Sequence, residues 1–338
     1  MSYTVCSSEK LRKSGADAET KAMLYLMNFR EDSSEMNYFV VDFFNDVTGM
    51  DRMGRKLWDV QSKASKKACA KGIGRELVTL FKNYLSEFTF VDYVIFPDTF
   101  RIDSSQNLFD VTNVKEKALI SVREGLVEES NKKEYIDNSY ITDKNIDNFL
   151  KVVWFVVDDK SPQDYIKEII KNHPSIIPPD SELISIFNEI RNKQSELKNT
   201  NVEGVTIERI DEVLSYGREL KTHEIRLLVL QRILNTDPLS KGIPEPFMEV
   251  YLKYPEERRK MLLEQCQSAM CRALFNNSLA QAYWALFDSV YTSIIQNPDK
   301  NINYIVDSIP DEVLDACTDF DAFSLKYFIA KIKEGVSK

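Results

Sequence analysis

The chain has 338 residues, 43% hydrophobic and 29% charged, a size and balance that suit two folded domains rather than a disordered protein. No apolar run approaches the roughly 18 residues of a membrane span, and the opening MSYTVCSSEKLRKSG has no signal-peptide core, so a cytoplasmic protein is expected. A formal charge of −9 excludes a chain that coats nucleic acid over its whole surface. The five cysteines are scattered, and the two histidines, His173 and His223, lie far from any polar cluster. A zinc knuckle, a histidine metal site and a histidine-dependent triad therefore lack their parts.

In chain order, ADAETKAMLYLMNF predicts a helix over about 15–30 with Glu19, Ala22, Met23 and Leu26 on one face, which puts a carboxylate on the apolar side. NYFVVDFFND, 37–46, reads as an internal strand ended by a Thr48-Gly49 turn, with Asp42 and Asp46 on one face. LWDVQSK, 57–63, follows as its partner strand. Strand side chains alternate, so Asp59, Gln61 and Lys63 project from one side and Trp58 and Val60 from the other. A helical stripe of Leu77, Leu80, Phe81, Tyr84, Leu85 and Phe88 predicts a helix over 71–88, and FVDYVIFP, 90–97, a further strand reached by a crossover.

KVVWFVVDD, 151–159, is one more expected strand, and SPQDYIKEIIKN and PPDSELISIFNEIRNKQSELKN are capped helices. Past Thr200 the periodicity is helical almost throughout. The expected fold is an α/β domain over 1–160, a mixed sheet flanked by helices, followed by an α-helical domain over 161–338. In the latter, Trp284, Phe287, Tyr291 and Ile295 at helical spacing suit core packing, oligomerisation or a regulatory subunit.

Bringing these pieces together gathers Glu19, Asp42, Asp46, Asp59, Gln61 and Lys63 in one place. Buried carboxylates are costly unless paired or metal-bound. Magnesium takes oxygen ligands and keeps several waters, so carboxylates, an amide oxygen and a main-chain carbonyl would suit it or manganese. Lys63 beside such an ion would orient a water and stabilise charge on a phosphoryl group, the chemistry of phosphodiester hydrolysis. Asp42, Asp46 and Asp59 all share the proposed face as candidates for the metal-binding acid; Asp46, at a strand end beside a turn, is the first choice, with Gln61, Glu19 and Asp59 as further ligands. Glu19 reads equally as a first-turn acid favoured by the helix dipole, and Asp59 as a neighbour that holds Lys63. Lys63 to Arg75 is a run without an acid. It is either a solvated loop or a phosphate clamp for DNA made by Lys66, Lys67, Lys71 and Arg75, with Gly72 and Gly74 permitting close approach.

The order of helix, two strands, helix and strand, with an acid ahead of Gln61-Ser62-Lys63, resembles the PD-(D/E)XK nuclease superfamily. The glutamine stands where most members have an acid, as in Mrr-like restriction endonucleases. A closer likeness is to the nuclease domain of CD-NTase-associated double-stranded DNA endonucleases of bacterial antiphage defence. It extends through FLKVVWFVVDDKSPQDYIKEIIKN and covers residues 10–200. The resemblance implies a metal-dependent DNA endonuclease with Asp46 and Gln61 on the ion, Glu19 assisting and Lys63 positioning the attacking water. No nucleotide-sensing domain follows of the kind those effectors carry, which implies a nuclease subunit restrained by oligomerisation or by a partner, as in defence systems of the Lamassu type. The alternative expectation is an inactive subunit of the same fold.

Overall fold

The computed structural model describes residues 2–6, 13–63, 69–97 and 107–337. The chain divides into two compact units, one of Met1–Ser161 with Asn188–Lys221, the other of Pro162–Phe187 with Thr222–Lys338. Pro162 marks the first break in the sequence. The return of 188–221 to the first unit carries no such punctuation.

The first unit begins with β1 (Tyr3–Thr4) and α1 (Lys13–Asn28), followed by three strands, β2 (Met36–Val41), β3 (Val47–Asp51) and β4 (Leu57–Lys63). Helices α2 (Ala70–Glu76) and α3 (Val78–Leu85) lead to β5 (Phe90–Pro97). Next come β6 (Leu108–Phe109), α4 (Glu116–Ser130), α5 (Asp143–Leu150) and β7 (Val153–Val156). Past α6 (Pro162–Ile169), which belongs to the second unit, α7 (Asp180–Leu197) leads to β8 (Thr206–Ile207) and β9 (Glu219–Lys221). Seven strands form one mixed sheet in the order β6-β7-β5-β4-β3-β2-β9, and β1 pairs separately with β8. The pairs β4/β5 and β5/β7 are parallel and the others antiparallel, so the expected crossover from β4 to β5 is present and runs through α2 and α3.

The turn between the first strands is not at Thr48-Gly49. It lies at 42–45, where Asp42 takes φ of 51° and its N–H donates to the Asp46 carbonyl at 3.2 Å. Asp tolerates this left-handed conformation better than most residues. Thr48 and Gly49 instead sit inside β3, opposite Asp59 and Trp58. A Cβ on Gly49 would stand 3.0 Å from Met36 Sδ and 3.3 Å from Leu26 Cδ1, so this glycine serves close packing of α1 and β2 on the strand. Asp42 and Asp46 consequently flank a turn and do not share a strand face. The Trp58 side of the sheet is covered by α1, while Asp59, one residue on, contacts Asn83 of α3. The two helices thus cover opposite faces.

The expected single helix over 71–88 is broken at Leu77 into α2 and α3. The glycine proposed to admit a phosphate has another use. Gly74 is buried, and a Cβ there would fall 1.9 Å from the Val122 carbonyl oxygen of α4; a Cβ on Gly125 would fall 2.1 Å from the Lys71 carbonyl. The two helices cross backbone to backbone. Gly74→Ala is expected to lower stability by about 3 kcal/mol, because backbone has to move. Gly72→Ala, whose Cβ would meet only Cys69 Sγ at 3.4 Å, is expected to change it by no more than about 1 kcal/mol, in the stabilising direction. Urea unfolding midpoints of the two variants would check this.

The second unit is helical, with α6, the first part of α7, α8 (Thr222–Leu234), α9 (Met248–Tyr251), α10 (Glu256–Phe275), α11 (Ala280–Gln296), α12 (Ile302–Asp307), α13 (Asp311–Ala316) and α14 (Ala322–Val336). Its aromatic core joins Tyr283, Trp284 and Phe287 of α11 to Phe328 of α14. Of the stripe noted on α11, Trp284 and Phe287 are fully buried and Ile295 is exposed. Among the described residues no helix is long and apolar enough to cross a membrane.

Candidate active site

The end of β4 and the turn before β3 meet at Asp46. Its Oδ2 accepts three hydrogen bonds, from Gln61 Nε2 at 2.7 Å, the Ser62 N–H at 2.8 Å and Ser62 Oγ at 2.9 Å. Gln61 Nε2 also lies 3.4 Å from the Ser62 carbonyl oxygen. The amide group therefore stands between a carboxylate oxygen and a main-chain carbonyl oxygen. This is a donor in a place lined by acceptors, and the same amide carries an oxygen of its own. The strand register explains the meeting: Val47 pairs with Val60, so the residue before Val47 comes level with Gln61 and Ser62.

Lys63 is not turned to Asp46. Its Nζ pairs with Glu76 of α2 at 2.7 Å, and its side chain is 41% exposed. Asp59 is also apart from the cluster. It is fully buried, with Oδ2 accepting from Asn83 at 2.6 Å and Oδ1 from Thr48 at 3.2 Å. Burial without a cation in contact pushes its carboxyl up to about 7, against the pull of those hydrogen bonds. Its partners, Asn83 of α3 and Thr48 of β3, make it a polar member of the β4–α3 core.

Glu19 is buried on α1 and held by Lys198, with Nζ 2.9 Å from Oε1 and 2.8 Å from Oε2, and more loosely by Gln194 Nε2 at 3.4 Å. Gln194 is itself fixed by Thr20, whose Oγ1 donates to it at 2.8 Å. Burial pushes the Lys198 ammonium pKa down, but Glu19, with Asp42 and Asp46 farther off, raises it above the usual lysine value. Asp42 is paired with Arg218 at 3.0 Å. The Arg218 guanidinium, almost wholly buried, also donates to the carbonyls of Asp42 at 2.8 Å, Thr200 at 3.0 Å and Lys198 at 3.2 Å. One arginine thus ties the turn after β2 to the chain leaving α7.

The two described members of the expected DNA clamp, Lys71 and Arg75, both reach Glu128 of α4, at 2.9 and 3.0 Å. Together with Lys132 they hold the Glu128 carboxyl near 2. Lys66 and Lys67 lie outside the described residues.

No family model, curated protein or solved structure matches this chain.

The residues that sequence reasoning missed are Lys198, Gln194 and Arg218. They stand more than 130 residues beyond the Gln61-Ser62-Lys63 strand, on a stretch that reads as an ordinary amphipathic helix and its exit. No local signal marked them: Arg218 has Glu219 beside it in sequence, and the acid it pairs with, Asp42, belongs to a distant part of the chain.

As a metal site, the Asp46 cluster offers one carboxylate, one amide and one main-chain carbonyl. Among the described residues no three His, Cys, Asp or Glu side chains converge on a point that would hold an ion. A hard ion that keeps most of its shell as water, as magnesium does, fits the oxygen donors present.

Proposed function

We propose that the protein is a metal-dependent endonuclease acting on double-stranded DNA, built on a restriction-endonuclease-like α/β domain. The supporting observation is the convergence of the Asp46 carboxylate, the Gln61 amide and the Ser62 carbonyl at the end of β4, one residue before Lys63. In this reading Asp46 and Gln61 hold a magnesium or manganese ion, which supplies Lewis-acid stabilisation of the phosphoryl oxygens. Lys63, released from Glu76 by the negative charge of a phosphate, orients the attacking water and balances developing charge. Glu19 assists through the charge network around Lys198. The helical unit would restrain the nuclease by oligomerisation or by docking a regulatory subunit, as the resemblance to antiphage effectors suggests.

Supercoiled plasmid incubated with the full chain and magnesium should be nicked or linearised, and excess chelator should stop the reaction. Cleavage that ignores chelator would sink the proposal. A second reading, a nuclease-fold subunit that binds DNA without cutting, draws on the Lys63–Glu76 pair and the single carboxylate at the cluster. It predicts DNA retention with intact plasmid at every magnesium concentration, with or without a partner protein.

Binding has its own test. If Lys66 and Lys67 contact phosphates, replacing both with alanine should reduce the slope of log K against log salt by about 2. Fluorescence anisotropy across a salt series measures that slope, and an unchanged value would remove the two lysines from the interface.

A further inference from the structure

A cleft in the first unit shares no residue with the Asp46 cluster. It encloses about 270 Å³ between β1, the end of α3 and the chain that joins α4 to α5, with Tyr3, Thr4, Cys6, Lys82, Tyr135 and Tyr140 among its walls. Pockets for drug-sized ligands run to about 300–1,000 Å³, so this one suits a smaller molecule.

Lys82 is its reactive group. Nζ donates to the Tyr3 hydroxyl at 3.0 Å and to the Thr4 carbonyl at 3.1 Å, and it lies 4.2 Å from the centre of the Tyr3 ring and 5.7 Å from that of Tyr135. The groups around the amine are therefore the groups that wall the cleft. Both acceptors are neutral, and among the described residues Lys82 forms no ion pair. Asp137, which also lines the cleft, accepts from the Ser139 N–H at 2.8 Å. Cys6 Sγ donates to the same Thr4 oxygen as Lys82, at 3.4 Å.

A neutral amine has two N–H groups and one lone pair. Here two N–H groups have their acceptors already, which leaves the lone pair unused. Burial favours that form and pushes the Lys82 ammonium pKa below the usual lysine value, against the opposing pull of Cys6 and Asp59. Burial also pushes the phenols of Tyr3 and Tyr135 up, the latter to about 12, so both stay neutral beside the amine. An unprotonated lysine in an aromatic setting is a nucleophile toward carbonyl carbon.

We propose that this cleft is a covalent binding site for a small aromatic aldehyde or ketone, which Lys82 captures as an imine. The Nζ lone pair forms the C–N bond while the carbonyl π pair moves to oxygen. The oxygen gains a proton and the nitrogen loses one, giving a carbinolamine. Its hydroxyl then leaves with a solvent proton as water, and loss of the remaining N–H proton completes the C=N bond. One water is released, and no oxidant or reductant is consumed. Tyr135 and Tyr140 give the walls aromatic surface for the planar part of the ligand. The capture needs no metal and does not depend on the nuclease reading.

The test treats the full chain with pyridoxal at neutral pH, reduces with borohydride and maps the modified lysines by peptide mass spectrometry. Pyridoxal without its phosphate is the probe, so that negative charge does not direct it. Lys82 is expected to carry the label about tenfold ahead of the exposed Lys151 and Lys260, a preference of about 1.4 kcal/mol. Its labelling should saturate with pyridoxal concentration, while theirs rises linearly. Lys82→Arg, which keeps a cation at the site, should lose this label and leave the others unchanged. Tyr140→Ala, at an exposed wall residue, should raise the half-saturating concentration about 2–10-fold, the worth of one aromatic contact. Circular dichroism confirms folding of both variants, and the wild-type map decides the matter if either fails to fold. Labelling of Lys82 no faster than that of Lys151 and Lys260 overturns the proposal. So does labelling that never saturates, or a half-saturating concentration that folded Tyr140→Ala leaves unchanged.

Discussion

Lys63→Ala should leave supercoiled plasmid intact under conditions in which the wild-type chain cuts it, with the rate reduced by about 10²–10⁴-fold, the usual contribution of a positioned acid–base group. The fold should survive the change. Lys63 ends β4 with a side chain that is 41% exposed, and its ion pair is to Glu76; pairs this exposed contribute about 0–1 kcal/mol. Wild-type cleavage by Lys63→Ala would reject the assignment. Asp46→Asn tests the same site from the metal side, because the carboxylate that collects three hydrogen bonds from Gln61 and Ser62 is replaced by a neutral amide. Loss of cleavage in Asp46→Asn with weakened manganese binding, beside loss in Lys63→Ala with manganese binding unchanged, would separate a ligand from a residue that handles the water.

Much of this site was legible because strands make a short-range code. The alternation in LWDVQSK places Gln61 and Lys63 on one side of β4 whatever the rest of the chain does. The acid at Asp46 was legible as well, but for a different reason from the one that holds in the fold. The sequence suggested a strand end before a Thr48-Gly49 turn, whereas the turn is formed by 42–45 and Asp46 reaches Ser62 from just ahead of β3. Glycine after threonine reads as a turn when only neighbours in sequence are seen. Gly49 is needed because Met36 and Leu26 press on it, a contact between separate elements that local pattern does not carry. The same is true of Gly74 against Val122. Lys71 and Arg75 read as free charge because Glu128, more than fifty residues on, is invisible at that range. Glu19 likewise has a partner that local pattern does not carry, Lys198, more than 170 residues on.

Asp59 shows how far face-sharing alone can be carried. It has the parity of Gln61 and Lys63, yet only Lys63, at the strand end, is accessible, whereas Asp59 lies in the core between β4 and α3. There the carboxyl, at about 7, is protonated in the folded chain over a range where an unfolded aspartate, at about 3.8, is ionised. Between those values the folded state binds more protons than the unfolded state. The group's contribution to stability is therefore complete below about 4 and is lost as pH rises to about 7. The integrated loss is at most on the order of 4 kcal/mol, at about 1.4 kcal/mol per pH unit. Asp59→Asn removes the titration while leaving an oxygen for Asn83 and an amide that the Thr48 hydroxyl can accept from. The stability of Asp59→Asn minus that of wild type should therefore climb between pH 4 and pH 7 and level off above, since other titrating groups cancel in the difference. Denaturant unfolding of the pair at a series of pH values measures this directly. A difference that stays flat would mean that the carboxylate is already ionised in the core, compensated by more than Asn83 and Thr48, and the place of Asp59 outside the cation network would have to be given up.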